Sequence, residues 1–212
     1  MKQIILCSVL LWTMCSTVVF ANDKEDEIQL AIAFGELKTN PDRAFRIFEE
    51  VETSSGSKST SRAKSNHAYA QLGMGICLYY GLGCKQDYKG AFQRFRQLVV
   101  YPSGFANANP MVEYYYGECL YNGHGTPKDT EGGLRGIQYA ARYGFADARI
   151  RLGTLMLVGE IGANKEYFGW VKNEADNNNK DAQYIVGQLY LKGIGCVKDE
   201  ITGNEYIQKS RK

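Results

Sequence analysis

The sequence contains little histidine, almost no net charge and, beyond its first residues, no hydrophobic run of membrane-spanning length. Its two histidines, His67 and His124, are far apart in the sequence, so no metal site is predicted. The formal net charge is only +2, which leaves no broad basic surface to favour nucleic acid or an anionic membrane as partner. A Gly-x-Ser-x-Gly nucleophile motif and a phosphate-binding loop are also missing. We therefore predict no cofactor.

The N-terminal residues differ in kind from the rest of the chain. Lys2 gives a positive start, an apolar stretch follows, and Val19 and Ala21 occupy the small-residue positions before Asn22. This layout predicts a cleavable secretory signal at residues 1–21 and a mature chain that does not insert into the membrane. Polar residues within the apolar stretch make a permanent membrane span the weaker alternative. We expect the protein in the periplasm, with secretion from the cell as the alternative.

Glycines recur through the rest of the chain at regular spacing. Four of them are separated by 42, 36 and 34 residues, and another glycine follows each of the four six residues later. Chance does not produce this pattern, so we interpret it as an internal repeat. The anchor glycines are Gly75, Gly117, Gly153 and Gly187, and the turn glycines that follow them are Gly81, Gly83, Gly123, Gly125, Gly159, Gly193 and Gly195.

Each repeat has the pattern of two helices joined by a glycine turn. Apolar residues around an anchor glycine fall on one side of a helix, and the glycine lets a neighbouring helix approach closely. The turn glycines end this helix, because glycine reaches backbone angles that other residues avoid. Asp87, Asp129 and Asp199 then stand where a side chain can cap the next helix. In the third repeat Ile161 replaces a turn glycine and Lys165 replaces the aspartate, which leaves its turn geometry open.

The segments from Ala70 to Ala91 and from Ala182 to Gly203 resemble the Sel1-like repeat, a relative of the tetratricopeptide repeat. They share an alanine, an apolar residue before the anchor glycine, a Gly-x-Gly turn and an aspartate before the second helix. The resemblance extends over residues 68–212 and is to an exported, bacterial-type member. It implies an all-α fold, an α/α solenoid of about four helix–turn–helix repeats whose stacked units bury one another's apolar sides. It also implies adaptor or scaffold work through binding of another protein or peptide.

Residues 22–52 precede the clear repeats and have the pattern of a degenerate helical pair. Asn40 and Pro41 open its second helix. An atypical terminal pair is what a solenoid needs as a cap. Residues 53–66 are rich in serine and lysine and predict a flexible loop, after which the solenoid occupies residues 67–212.

The inner face of the solenoid is the predicted binding surface. If the first helix of each repeat lines that face, residues two before, one after and five after the anchor glycine point away from the buried side. Tyrosines with charges of both signs suit recognition of a protein, although every solenoid exposes polar residues somewhere. A rival stripe lies four residues before each anchor glycine: Gln71, Glu113, Arg149 and Gln183. The predicted partner-binding residues are Tyr80, Tyr115, Glu118, Asn122, Arg151, Thr154, Gln188 and Lys192.

Four cysteines follow the predicted signal: Cys77, Cys84, Cys119 and Cys196. An oxidising compartment would allow a disulfide, and a helix end followed by a glycine turn can bring Cys77 and Cys84 together. The alternatives are that these two are small buried hydrophobic residues, or that Cys119 is the partner. A cysteine-rich branch of the Sel1-like family pairs cysteines seven residues apart in every repeat, whereas this chain has that spacing within a repeat once.

The predicted function is that of a monomeric, non-catalytic interaction module. A sharper version, which the resemblance implies, is an immunity protein that binds and neutralises a toxic effector. The alternative is a cell-wall or β-lactam hydrolase of the cysteine-rich Sel1-like type. Ser61 and Lys64 match the Ser-x-x-Lys pattern of penicillin-recognising enzymes, but the companion motifs of those enzymes are missing.

Overall fold

A computed structural model of the protein describes residues 23–56, 60–100 and 109–211, so the predicted secretory signal lies outside the described residues. Regular structure within these ranges is α-helical throughout. None of the described helices is both long and apolar enough to cross a membrane. The helices are α1 (23–36), α2 (Pro41–Gly56), α3 (Ser61–Tyr80), α4 (Tyr88–Val99), α5 (Pro110–Asn122), α6 (Thr130–Arg142), α7 (Ala146–Val158), α8 (Lys165–Asp176), α9 (Lys180–Lys192) and α10 (Glu200–Ser210).

These helices form two compact units, α1–α4 and α5–α10. In the first unit α2 packs against α3, and α3 packs against α4. Its core contains Leu30 of α1, Phe48 of α2 and Met74 of α3. The Phe48 ring is fully buried, and its centroid lies 4.9 Å from that of Phe34 in an edge-on contact. The apolar residues between 28 and 51 therefore form a helical pair, as their spacing indicates.

The second unit consists of three helix pairs, α5–α6, α7–α8 and α9–α10. Helix α7 contacts α6, α8 and α9, so it has neighbours beyond its own pair. Val171 of α8 and Val186 and Leu189 of α9 are fully buried where these helices meet. The predicted fold class, an all-α arrangement of helix–turn–helix solenoid repeats, is confirmed.

The structure corrects the predicted flexible loop at residues 53–66. Helix α2 continues to Gly56 and α3 begins at Ser61, and residues 57–59 lie outside the described ranges. The Ser55 hydroxyl donates a hydrogen bond of 3.0 Å to Asp26 of α1, and the Thr60 hydroxyl accepts one from the backbone N–H of Ala63. The hydroxyl residues that suggested a loop therefore hold helix ends in place.

Each first helix of a repeat ends at a glycine in the left-handed region. At Gly193 φ is 68°, and its N–H bonds to carbonyls of the last turn of α9, an arrangement that residues with a Cβ rarely adopt. Asp129 and Asp199 cap the second helices that follow. In the third repeat Asn164 performs this role, accepting hydrogen bonds of 2.8 and 3.1 Å from the N–H groups of the first turn of α8. The cap is therefore kept there in a turn one residue shorter.

The anchor glycines lie where the two helices of a pair touch. A Cβ on Gly117 would stand 2.8 Å from the carbonyl oxygen of Gly133, and a Cβ on Gly187 would stand 2.7 Å from that of Gly203. Both distances are shorter than real Cβ atoms show. The pairs α5–α6 and α9–α10 thus bring backbone against backbone, with glycine on both sides.

We expect the substitution Gly133→Ala to lower the free energy of unfolding by about 1–3 kcal/mol, the usual cost of overpacking a core. Its Cβ would lie 2.4 Å from the backbone nitrogen of Tyr121, which cannot move without shifting α5. The control is Gly169→Ala, whose Cβ has no neighbour within 4 Å and which should gain about 1 kcal/mol of helix propensity. Urea unfolding followed by circular dichroism measures both, and equal stability of the two variants would contradict the close packing.

Candidate interaction surface

Three of the predicted partner-binding residues meet in one hydrogen-bonded group within the second unit. Arg151 of α7 donates from Nε to Oε1 of Glu118 on α5 over 2.8 Å. Asn122, at the end of α5, donates to the other carboxylate oxygen over 3.1 Å. Glu118 is buried, whereas Arg151 and Asn122 are half-buried and reach the surface. The group therefore holds α5 to α7 and fixes the position of the guanidinium.

Tyr121 and Glu160 extend this group. The Tyr121 hydroxyl donates to Glu160 over 2.7 Å, and the Arg151 guanidinium lies 5.5 Å from the centroid of the Tyr121 ring. Burial, followed by the hydrogen bond to Glu160, raises the pKa of Tyr121 to about 12, so the hydroxyl remains a donor at neutral pH. Sequence reasoning missed both residues because it followed one stripe of the first helices, and Glu160 lies in the turn after α7.

We call Glu118, Tyr121, Asn122, Arg151 and Glu160 the arginine cluster. It contains two carboxylates and one guanidinium, so its formal charge is −1. Its hydrogen bonds hold the polar groups in fixed positions. These side chains therefore lose less conformational entropy when a partner binds. Arginine beside tyrosine is also the composition in which binding hot spots are enriched.

The structure corrects the placement of Tyr115 and Glu118, which the helical stripe predicts to point away from the buried side. Tyr115 is 7 % exposed and packs against Tyr114 and Phe145 at centroid distances of 5.0 and 6.5 Å. Glu118 is 8 % exposed. Neighbours on more than one side widen the buried arc of α5 beyond the stripe that faces its own pair. Tyr115 is thus a core residue.

The other predicted residues reach solvent to different degrees. Thr154 and Gln188 are half-buried, on α7 and α9 of the second unit, and Lys192 is exposed at the end of α9. Thr154 lies three residues after Arg151 and so shares its side of α7. Tyr80 is 51 % exposed and belongs to the first unit. Half-buried side chains that combine hydroxyl, amide and charge are suited to contact with another protein.

The rival stripe has structural contacts in the second unit. Arg149 donates to the carbonyl oxygen of Ala141 over 3.0 Å, and Gln183 donates to that of Ala175 over 3.1 Å. Each carbonyl belongs to the last turn of the preceding second helix, whose carbonyls lack partners within the helix. Arg149 also forms an ion pair of 2.7 Å with Glu174. These side chains therefore cap helices α6 and α8.

The second unit has a groove of about 590 Å³ at the turn between α9 and α10. The first unit has a groove of about 610 Å³ between α1 and α3. Leu30, Ala31, Phe34 and Tyr69 give the first-unit groove an apolar lining. Sequence reasoning missed it, because all of its lining except Tyr69 comes from segments assigned to a cap and a loop. Ser61 lines the same groove, yet both Ser61 and Lys64 are exposed. Among the described residues, no three His, Cys, Asp or Glu side chains form a metal-binding group.

Cys77, Cys84, Cys119 and Cys196 are free thiols in the structure. Cys77 is fully buried in the first-unit core, and Cys84 packs against the same core. Burial, with a smaller effect of Cys84, raises the pKa of the Cys77 thiol to about 12. Burial and the Glu118 carboxylate raise that of Cys119 to about 12 as well. Pairing of Cys77 with Cys84 stays a prediction.

Comparisons with known proteins follow the same repeat boundaries. A family model described as Sel1 repeat matches residues 68–93, 110–135 and 180–212, which leaves out the third repeat with its shorter turn. The protein named Chitin synthase regulatory factor 1, from Schizosaccharomyces pombe, is 30 % identical over 129 residues, or 58 % of this chain. The chain spans only 26 % of that relative's length.

A solved structure resembles the fold. A Sel1 repeat protein from Oxalobacter formigenes superimposes with a TM-score of 0.57 at 18 % identity, covering 89 % of this chain and 73 % of that one. A protective antigen of uropathogenic Escherichia coli gives a TM-score of 0.47 at 18 % identity, covering 87 % and 44 % of the two chains.

We expect Arg149→Ala to lower the free energy of unfolding by about 2 kcal/mol, because it leaves the nearly buried Glu174 carboxylate without its cation and removes one of the hydrogen bonds to the Ala141 carbonyl. The Glu174 side chain retains only 14 % of its exposure in this pair. Arg135→Ala is the matched control, since its pair with Glu131 on α6 is largely exposed and should contribute less than about 0.5 kcal/mol. Chemical unfolding of both variants measures the difference. If Arg149→Ala left the free energy of unfolding unchanged, the proposed structural role of the rival stripe would be wrong.

We expect iodoacetamide at neutral pH to modify Cys196 well before Cys119 in the folded protein. Only the thiolate reacts, and the raised pKa of Cys119 leaves little thiolate in a fully buried site. Mass spectrometry of tryptic peptides measures the rates. A disulfide between Cys77 and Cys84 would protect both residues until reductant is added. Equal rates at Cys119 and Cys196 would contradict the buried placement of Cys119.

Proposed function

Because the chain carries Sel1 repeats, we propose that it is a non-catalytic interaction module that binds another protein or peptide through the arginine cluster and the adjoining face of α7 and α9. The observation that carries this proposal is the fixed guanidinium of Arg151, held by Glu118 within 2.8 Å at a half-buried site. A partner that covers it meets a donor group already in position. Such a site loses less side-chain entropy on binding than a free surface arginine does.

The proposed face includes residues of α7 and α9. Thr154 shares the side of α7 on which Arg151 lies, and Gln188 and Lys192 of α9 reach the surface of the same unit, where they supply an amide and an ammonium group. This chemistry fits a partner with polar groups of both signs, and the small net charge of +2 gives no general attraction to nucleic acid.

We expect the isolated chain to be a monomer at the dilution used for binding measurements.

The proposed place of action is outside the cytoplasm, in the periplasm or after secretion. The support is the N-terminal sequence pattern of a secretory signal. Adaptor or scaffold work fits a chain of repeats, and neutralisation of a toxic effector is the sharper form of the same binding role. The Schizosaccharomyces pombe relative is named as a regulatory factor, and the likeness covers 26 % of that protein.

The hydrolase alternative has less support. Ser61 and Lys64 are both exposed on the first turn of α3. A serine nucleophile needs a base held against it in a site that excludes water, and exposed side chains of a helix start do not supply that environment.

We expect Thr154→Arg to weaken partner binding by about tenfold or more, equal to about 1.4 kcal/mol, because a long charged side chain would stand where the partner contacts α7. Among the described residues, the Thr154 hydroxyl bonds to no other group than the Ile150 carbonyl of its own helix, and arginine is a good helix former, so the fold should remain. Asn204→Arg, on the exposed side of α10, introduces the same side chain away from the face and serves as control. Affinity capture from the source cell's extract, with quantitative mass spectrometry, identifies partners, and titration calorimetry then compares the variants. Equal binding by both variants, or no specific partner for the parent protein, would contradict the proposed function.

A further inference from the structure

Two aliphatic side chains project into solvent at the last turn of the second unit. Val197 is 87 % exposed and Ile201 is 76 % exposed. Both line the groove of about 590 Å³, together with Phe168 of α8 and Tyr190 of α9. The rings of Phe168 and Tyr190 meet edge to face with centroids 5.1 Å apart. The groove thus has an aromatic floor and aliphatic walls.

The fold does not require an apolar residue at position 201. Ile201 is the second residue after the capping aspartate of α10, and the other repeats carry a charged residue two positions after their cap. These charged residues are Lys89, Glu131 and Glu166. A solvated charge suits that position, so the aliphatic side chain of Ile201 serves something other than the turn.

The four charged residues that line the groove sum to a formal charge of zero, but their pairing is uneven. The Asp199 carboxylate accepts hydrogen bonds from the backbone N–H groups of Ile201 and Thr202 and from the Thr202 hydroxyl. Glu200 forms an ion pair of 2.7 Å with Lys198. Lys165, the first residue of α8, also lines the groove and is exposed. Its ammonium group makes no ion pair with any described residue. The groove therefore has one lysine without an ion-pair partner, Lys165, beside its apolar side chains.

We propose that this groove binds an acidic, apolar peptide segment of a partner protein, with an apolar side chain between Val197 and Ile201 and a carboxylate at Lys165. The carboxylate would find a cation without displacing an existing pair, and the apolar side chain would remove Val197 and Ile201 from water. The groove involves none of the residues of the arginine cluster. The inference rests on the proposed function only in that its partner is a protein.

The test starts from a random peptide library displayed on phage and panned against the full chain, with counter-selection on Ile201→Glu. Glutamate stands at this position in two other repeats and favours a helix N-terminus, so the variant should fold. We expect enriched peptides to carry an apolar residue next to aspartate or glutamate. Fluorescence anisotropy of one labelled peptide should then show affinity about tenfold lower for Ile201→Glu.

Two further variants fix the interpretation. Val158→Glu replaces another exposed aliphatic residue of the same unit, outside the groove, and should leave peptide affinity unchanged. Lys165→Glu should lower the affinity of the groove for acidic peptides. A second selection on this variant should enrich peptides that contain lysine. Enriched peptides without acidic residues, equal affinity for Ile201→Glu, or no enrichment at all would overturn the inference. So would concentration-dependent self-association in light scattering that Ile201→Glu abolishes, since the groove would then hold a second copy of the chain.

The proposed function fails separately from this inference. If Thr154→Arg loses its captured partner while Ile201→Glu keeps it and no peptide is enriched, only the groove assignment falls. If peptides bind the groove as expected and Thr154→Arg keeps every partner, only the arginine-cluster surface falls.

Discussion

Contact between helix backbones at paired glycines is the constraint on which the second unit depends. At Gly117 and Gly187 the facing residue is also a glycine, and a Cβ on either would enter the partner helix within 2.8 Å. Glycine in a helix costs about 1 kcal/mol relative to alanine. The chain accepts this cost where close approach lets apolar residues on both sides of the contact be fully buried, as Val112 and Ile137 are.

Close packing also decides what polar residues of the first helices do. A helix with neighbours on several sides, such as α7, has little free circumference, so a polar side chain on it must find a partner or a narrow opening to solvent. Arg149 and Gln183 find helix-end carbonyls, and Glu118 finds Arg151. The arginine cluster is thus a product of the same packing that buries Tyr115, and its rigidity follows from that packing.

The two surfaces of the second unit have different chemistry. The arginine cluster is polar, hydrogen-bonded and formally negative. The groove at the turn between α9 and α10 has mainly apolar walls and a lysine, Lys165, without an ion-pair partner. A scaffold that engages different partner segments needs sites that do not compete for the same ligand. A polar surface and an apolar one differ in the ligands that they favour, which is one physical way to keep binding at two sites apart.

The sequence by itself determined the helix pairs, their turns and most of their caps, because these depend on local chemistry. A glycine six residues after each anchor and an aspartate before the next helix act within a few residues of their own position. Tertiary structure alone decided which side of α5 is open, and that Ser55 joins α2 to α1 instead of belonging to a loop. Helical periodicity assigns burial against a single neighbour, and here several neighbours distant in the sequence share the surface of one helix.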